Sequence, residues 1–156
     1  MKPRISKELK RYNYLFGETG AIYHEMYLKL GMPDSAVSIL YTILENEGQC
    51  LLQNICRYTG LRKQTVNSAL RKLEDQGAVC LEMVDSKHKA VRLTDAGKVL
   101  AENTAGQVLE AENDIFASWP REDVEKYLEL TERYMAALKE RAEKIEKRTV
   151  TGRLEL

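Results

Sequence analysis

Apolar side chains recur at three- and four-residue intervals along most of this 156-residue chain, and the places where that rhythm fails divide it into segments. Residues 7–30 carry Leu9, Tyr12, Leu15, Phe16, Ile22, Tyr23 and Met26 in one stripe. This predicts a first helix, weakened by Gly17 and Gly20 and stopped by Gly31-Met32-Pro33. Asp34 or Ser35 caps a second helix with Val37, Leu40, Ile43 and Leu44 inward, ended by Asn46-Glu47-Gly48. Residues 51–58 read as a short helix that turns Leu52, Ile55 and Cys56 inward and begins without a good cap. Thr59-Gly60-Leu61 is a tight turn, and residues 63–75 form the next helix, closed by Gly77.

After Gly77 the period changes from helix to strand. Residues 78–84 and 90–93 are rich in valine and leucine, and the polar run Asp85-Ser86-Lys87-His88-Lys89 separates them as a hairpin tip. Thr94 caps a helix that carries Val99, Leu100 and Val108 and runs to about residue 115. Trp119-Pro120 breaks the chain. A last helix over residues 122–147 places Val124, Leu128, Thr131, Met135, Leu138, Ala142 and Ile145 at alternating four- and three-residue steps, a 3.5-residue repeat held for three heptads. Residues 148–156 show no pattern and are expected to be loose.

Composition agrees with a mainly α protein carrying one small β-hairpin: hydrophobic residues make up 44%, and only 3 prolines and 9 glycines interrupt them. The charge total is zero, yet residues 57–92 hold eight basic and four acidic side chains, so this segment carries +4 and the remainder −4. Three cysteines at loose spacing (Cys50, Cys56 and Cys80) argue for reduced thiols, not a disulfide scaffold or a zinc site. No apolar run approaches the ~18 residues of a membrane span, and the first residues lack the apolar centre of a signal peptide, so the cytoplasm is the expected address. The two histidines, His24 and His88, stand far apart, and no nucleophile–base pair, glycine-rich phosphate loop or metal-ligand spacing accompanies them. Neither an enzyme nor a cofactor is expected. His88 is expected to meet DNA or water, and His24 to hydrogen-bond at a subunit interface or in an effector site.

The helix over 63–75 carries the candidate chemistry. Val66, Ala69, Leu70 and Leu73 lie on one side. Gln64, Asn67, Ser68 and Arg71 are spaced i, i+3, i+4, i+7 and share the other. Arginine reads guanine, glutamine or asparagine reads adenine and serine reads either, all from the major groove. Thr65 and Lys72 flank this face within reach of phosphates, as do Arg62, Lys63, Lys87, His88 and Lys89. A polar helix face alone is ordinary. A short helix, a glycine turn, this face and then a basic-tipped hairpin form a winged helix-turn-helix.

The stretch TGLRKQTVNSALRKLEDQGAVCLEMVDSKHKAVRLTDAG, residues 59–97, resembles the multiple-antibiotic-resistance regulator (MarR) family of bacterial winged-helix transcription factors. The likeness lies in Gly60-Leu61, Gln64-Thr65-Val66, Lys72-Leu73-Glu74, the hairpin, and Arg92-Leu93-Thr94-Asp95-Ala96-Gly97, and extends over residues 9–145. Two departures stand out. Arg62 occupies a position where relatives carry a capping serine, which leaves the helix start uncapped. Lysines replace the arginines usual on the wing, which suits phosphate contact better than minor-groove reading.

The resemblance implies a DNA-binding domain over 34–115 and dimerisation helices over 5–30 and 120–147. It implies a homodimeric repressor on a palindromic operator, and a small aromatic effector held near Tyr12, Phe16, Tyr23, Met26 and Tyr27. The heptad seam of the last helix and the aromatic stripe of the first support the dimer independently. Two alternatives remain open: a winged-helix module that binds protein through the last helix, and a redox switch led by Cys50 at a helix start, with Cys56 serving as a buried small hydrophobe.

Overall fold

The computed structural model describes residues 3–145. In chain order the elements are α1 (Lys7–Lys29), α2 (Asp34–Glu45), β1 (Gln49–Leu51), α3 (Leu52–Thr59), α4 (Lys63–Asp75), β2 (Val79–Met83), β3 (Lys89–Leu93), α5 (Asp95–Asn103), α6 (Ala105–Ser118) and α7 (Arg121–Glu143). The expected mainly α fold with a winged helix-turn-helix is what forms. The chain divides into two compact units, Met1–Glu112 and Asn113–Leu156, with α6 running across the division.

The core of the first unit is built on α2. Val37, Ile39, Leu40 and Ile43 are fully buried there, and Ile55, Val66, Leu73, Val91 and Val108 close around them. The inward faces read from the sequence for α2 and α4 are therefore the faces that bury. Between α4 and β2 the chain turns through Gly77 at φ 71. The amide of Gly77 donates to the Glu74 carbonyl at 2.9 Å and that of Ala78 to the Leu73 carbonyl at 2.8 Å, a paired closure that satisfies the last carbonyls of α4.

Several expectations are corrected. The sheet has three strands in the order β1-β3-β2, not two, because Gln49–Leu51 pairs antiparallel with β3 in the register Cys50 opposite Val91. Three residues are too few to show alternation in a sequence. Asp34 is the first residue of α2, not its cap; Pro33 holds the cap position and makes no side-chain cap bond. The helix expected over 95–115 is two helices. Thr104, nearly buried, breaks it at φ −124 and ψ −87, and its hydroxyl donates to the Leu100 carbonyl at 2.6 Å. Ala101 at the end of α5 and Ala105 and Val108 of α6 are all fully buried on either side of the break. Gly17 and Gly20 do not interrupt α1.

In the second unit α7 is continuous for 23 residues and none of its residues is fully buried; Leu128, Met135 and Leu138 are 46%, 64% and 56% exposed. Phe116, Trp119 and Tyr127 pack as a cluster of rings around the Trp119-Pro120 break, with centroids 5.5–6.3 Å apart. The expected last turn of α7 beyond residue 145 and the tail over 148–156 lie outside the described residues.

Candidate nucleic-acid interface

α4 stands at the surface as a ridge between two clefts. Its start is uncapped, as Arg62 implied: Arg62 holds the cap position in extended conformation without a side-chain bond. α3 leads into it through Thr59, whose hydroxyl donates to the Ile55 carbonyl at 2.7 Å and accepts the Leu61 amide at 3.3 Å, and through Gly60 in the left-handed region. Val66, Ala69, Leu70 and Leu73 bury beneath the ridge. Lys63, Gln64, Asn67, Ser68 and Arg71 together line one shallow depression on its outer side.

On one flank a cleft of about 580 Å³ separates α4 from the wing. Lys63 and Asn67 face it from α4, and Lys87, His88 and Lys89 face it from the wing. Leu52, Gln53, Cys56 and Met83 complete its lining. Three lysines and a histidine around one cleft are suited to a phosphate backbone. On the other flank a second cleft, about 530 Å³, is lined by Thr65, Ser68 and Lys72 of α4, by the turn Gly31-Met32-Pro33 and by Leu100. Thus the eleven candidate DNA-contacting residues are distributed over one ridge and its two flanks, except Arg62, which lines none of these three surfaces. Gln53 carries no periodic signal in the sequence; only the seating of α3 against α4 brings it to the wing-side cleft.

The wing tip is organised by one carboxylate. Asp85 accepts the amides of Lys87 at 2.7 Å and His88 at 2.9 Å, and Nδ1 of His88 lies 2.8 Å from its second oxygen. The bond with His88 comes first, followed by the amide of Lys87, in holding the Asp85 acid below the ordinary carboxylate range. A depressed acid stabilises the folded tip above its unfolded pKa, and this support is lost as pH falls through its folded value. The carboxylate carbon resonance of Asp85 is therefore expected to titrate below the usual carboxylate range, with the amide resonances of Lys87 and His88 in dispersed positions at pH 7. In Asp85→Ala they should already sit at disordered positions at pH 7. Tip resonances that titrate at the ordinary aspartate value would contradict this.

The expectation for Cys50 is corrected, while Cys56 packs against the core as a partly buried small hydrophobe. Cys50 is not at a helix start. It lies in β1, only 5% exposed, and burial, followed by the nearby charge of Glu45, pushes its thiol up. Cys56 is half-buried and opens into the basic wing-side cleft. In the native protein iodoacetamide should modify Cys56 well before Cys50, with Cys50 labelled at a comparable rate only after denaturation. Peptide mass analysis along a time course reads this, and early labelling of Cys50 would refute it.

The five candidate effector residues fall into two sets. Tyr12 and Phe16 stack at 5.9 Å and are 40% and 70% exposed. Tyr23, Met26 and Tyr27 pack half-buried against the core. Two partners absent from the expected set join the second: Tyr41 on α2 and Glu112 on α6, since the hydroxyls of Tyr23 and Tyr41 both donate to the Glu112 carboxylate. His24 reaches both oxygens of Asp34 at 2.8–2.9 Å, with both side chains half-exposed, so within one chain it ties α1 to the start of α2. Among the described residues no group of three His, Cys, Asp or Glu side chains is placed to hold a metal, and no helix is long and apolar enough to cross a membrane.

Comparison with known proteins follows the same lines. No curated protein matches this sequence significantly. Solved structures match its fold. A MarR family regulator from Neisseria meningitidis superposes with a TM-score of 0.75 at 18% identity, covering 90% of this chain and all (100%) of that one. NadR in complex with 4-hydroxyphenylacetate gives 0.67 at 16% identity, over 86% of this chain and 96% of its own. A MepR–DNA complex from S. aureus gives 0.64 at 15%, over 86% and 99%. At these identities the likeness establishes the fold. The MarR family profile matches residues 30–88, from the turn before α2 to the wing tip, which is the segment that builds the ridge and its two clefts. Over this winged-helix lobe the chain is similar to the MarR family.

Proposed function

We propose that this protein is a homodimeric, sequence-specific DNA-binding regulator of transcription, a repressor acting in the cytoplasm, released from its operator by a small-molecule effector and without catalytic activity. The observation that carries the reading is α4. It buries Val66, Ala69, Leu70 and Leu73 and holds Gln64, Asn67, Ser68 and Arg71 on an outer ridge, beside a cleft lined by three lysines and a histidine. Gln64, Asn67, Ser68 and Arg71 read base edges. Arg62, Lys63, Thr65, Lys72, Lys87, His88 and Lys89 hold the backbone.

Residues 34–115 form the DNA-binding domain. Residues 5–30 and 120–147 form the dimer. α1 and α7 each run 23 residues without one that is fully buried, yet expose Leu9, Leu15, Phe16 and Ile22 on the first and Leu128, Leu130, Met135 and Leu138 on the second. Apolar surface of that extent is what a partner covers. A two-fold dimer supplies two reading helices about 34 Å apart for successive major grooves. An effector at the α1 tyrosines binds one spacing of those helices better than the other and shifts the population away from the operator-fitting form. Relatives of the same fold bound to DNA and to 4-hydroxyphenylacetate support both halves of this reading.

The test is selection from a pool of random duplex DNA. The expected product is a palindrome with half-sites about 10 base pairs apart, centre to centre. Enrichment of nothing, at low salt as well as high, would overturn the reading and favour a protein-binding winged helix.

A further inference from the structure

The junction of α1, α2 and α6 is the most unusual chemistry outside the DNA-reading ridge. Tyr23 from α1 and Tyr41 from α2 both donate to the carboxylate of Glu112 from α6, the second bond at 2.5 Å. The ring of Tyr27 lies beside that of Tyr23, centroids 6.2 Å apart. All four side chains are half-buried, so the group is neither core nor open surface. Two hydroxyl donors orient the carboxylate, and a carboxylate retains acceptor positions beyond two.

Acids predominate around the junction, with His24 held on Asp34. Glu112 and Asp34 act on Tyr27, and Glu112 and Glu45 act on Tyr41; burial first and these acids second raise both phenols above their ordinary value. Among the described residues no lysine or arginine acts on either. Such a place repels an incoming carboxylate or phenolate. A cation is drawn to it twice, by the oriented carboxylate and by the negative faces of the tyrosine rings.

We propose that the Tyr23–Tyr27–Tyr41–Glu112 junction is a ligand site for an organic cation, a protonated amine or quaternary ammonium on an apolar body. This rests on the reading that the α1 tyrosines form the effector site, and it fixes the ligand's charge as positive. Cation binding engages Glu112, the residue that links α6 to both other helices, so ligand occupancy and helix placement share one group.

The experiment is calorimetric titration of the full chain with three probes of similar size: benzyltrimethylammonium, benzylamine and benzoate. Both cations should bind at least tenfold more tightly than benzoate. Glu112→Gln should weaken the cations at least tenfold and narrow the preference. Tyr27→Leu, which keeps the carboxylate, should weaken them severalfold. Benzoate binding as tightly as the cations, no binding of either cation, or cation affinity unchanged in Glu112→Gln would each overturn the proposal. Operator binding is measured on the same samples. A protein that binds the operator but prefers benzoate, with that binding lost in Tyr27→Leu, keeps the effector site and refutes its charge. A protein that binds no operator refutes the regulator, whatever the probes do.

Discussion

Arg71→Ala is expected to abolish discrimination at one base pair of each half-site while leaving the fold intact. Arg71 is exposed near the end of the α4 ridge and shares one depression with Lys63, Gln64, Asn67 and Ser68. A bidentate arginine–guanine contact discriminates by ~1–3 kcal/mol, so the two copies on a palindrome lose about 2–6 kcal/mol, roughly thirty-fold to over ten-thousand-fold in affinity. Binding to random DNA should change far less, because counterion release from phosphate contacts supplies that affinity. Lys87→Ala on the wing is the contrast. It should weaken all sequences alike and lower the salt slope by about 1 per protomer. Thermal stability of Arg71→Ala should stay within ~0.5 kcal/mol, as for other exposed substitutions away from caps and buried partners. Equal losses on operator and random DNA would show that Arg71 holds phosphate and reads nothing.

Gly97→Ala is expected to be the most damaging small substitution in the winged helix. A Cβ at Gly97 would lie 1.7 Å from the Ala78 carbonyl oxygen and 2.7 Å from its carbon, both backbone atoms. No rotamer relieves that contact. The start of α5 is pinned there from three sides: the Thr94 amide donates to the Ala78 carbonyl at 3.0 Å, its hydroxyl donates to the Gly77 carbonyl at 2.5 Å, and the same oxygen accepts the Gly97 amide at 2.9 Å. Alanine must therefore push α5 away from the turn that ends α4 and begins the wing. The loss should reach or exceed the upper end of the ~1–3 kcal/mol typical of overpacking. That outweighs the roughly 1 kcal/mol that alanine gains over glycine inside a helix. Urea titration reads it as a lower midpoint, and because the wing hangs from the same turn, operator affinity should fall with it. An unchanged midpoint would mean that α5 does not seat on Ala78 as described.

Both predictions rest on a segment whose local chemistry is explicit in the sequence. The apolar face of residues 63–75, the glycine that ends that helix, the polar hairpin tip and the threonine cap at 94 each follow from neighbours within a few positions, and each is found where expected. The heptad seam of the last helix is likewise legible, since an unburied apolar stripe needs only its own period to be seen.

What the sequence by itself determined is thus most of the elements, the inward faces of α2 and α4, and the polar ridge that α4 displays. Tertiary structure alone decided which distant residues meet. β1 exists because β3 offers it an edge 39 residues later, as in the pairing of Leu51 with Ala90, and three residues carry no period of their own. The helix after Thr94 breaks at Thr104, a nearly buried residue whose hydroxyl turns back to the Leu100 carbonyl. Asp34 serves His24 in place of a cap. Cys50 is shielded by the strand it joins, while Cys56 opens to the basic cleft. Glu112 finds Tyr41 across 71 positions and Tyr23 across 89. Periodicity and capping act over a few residues, whereas a hydrogen bond or a strand pairing depends on how whole helices pack, and no local pattern carries that distance.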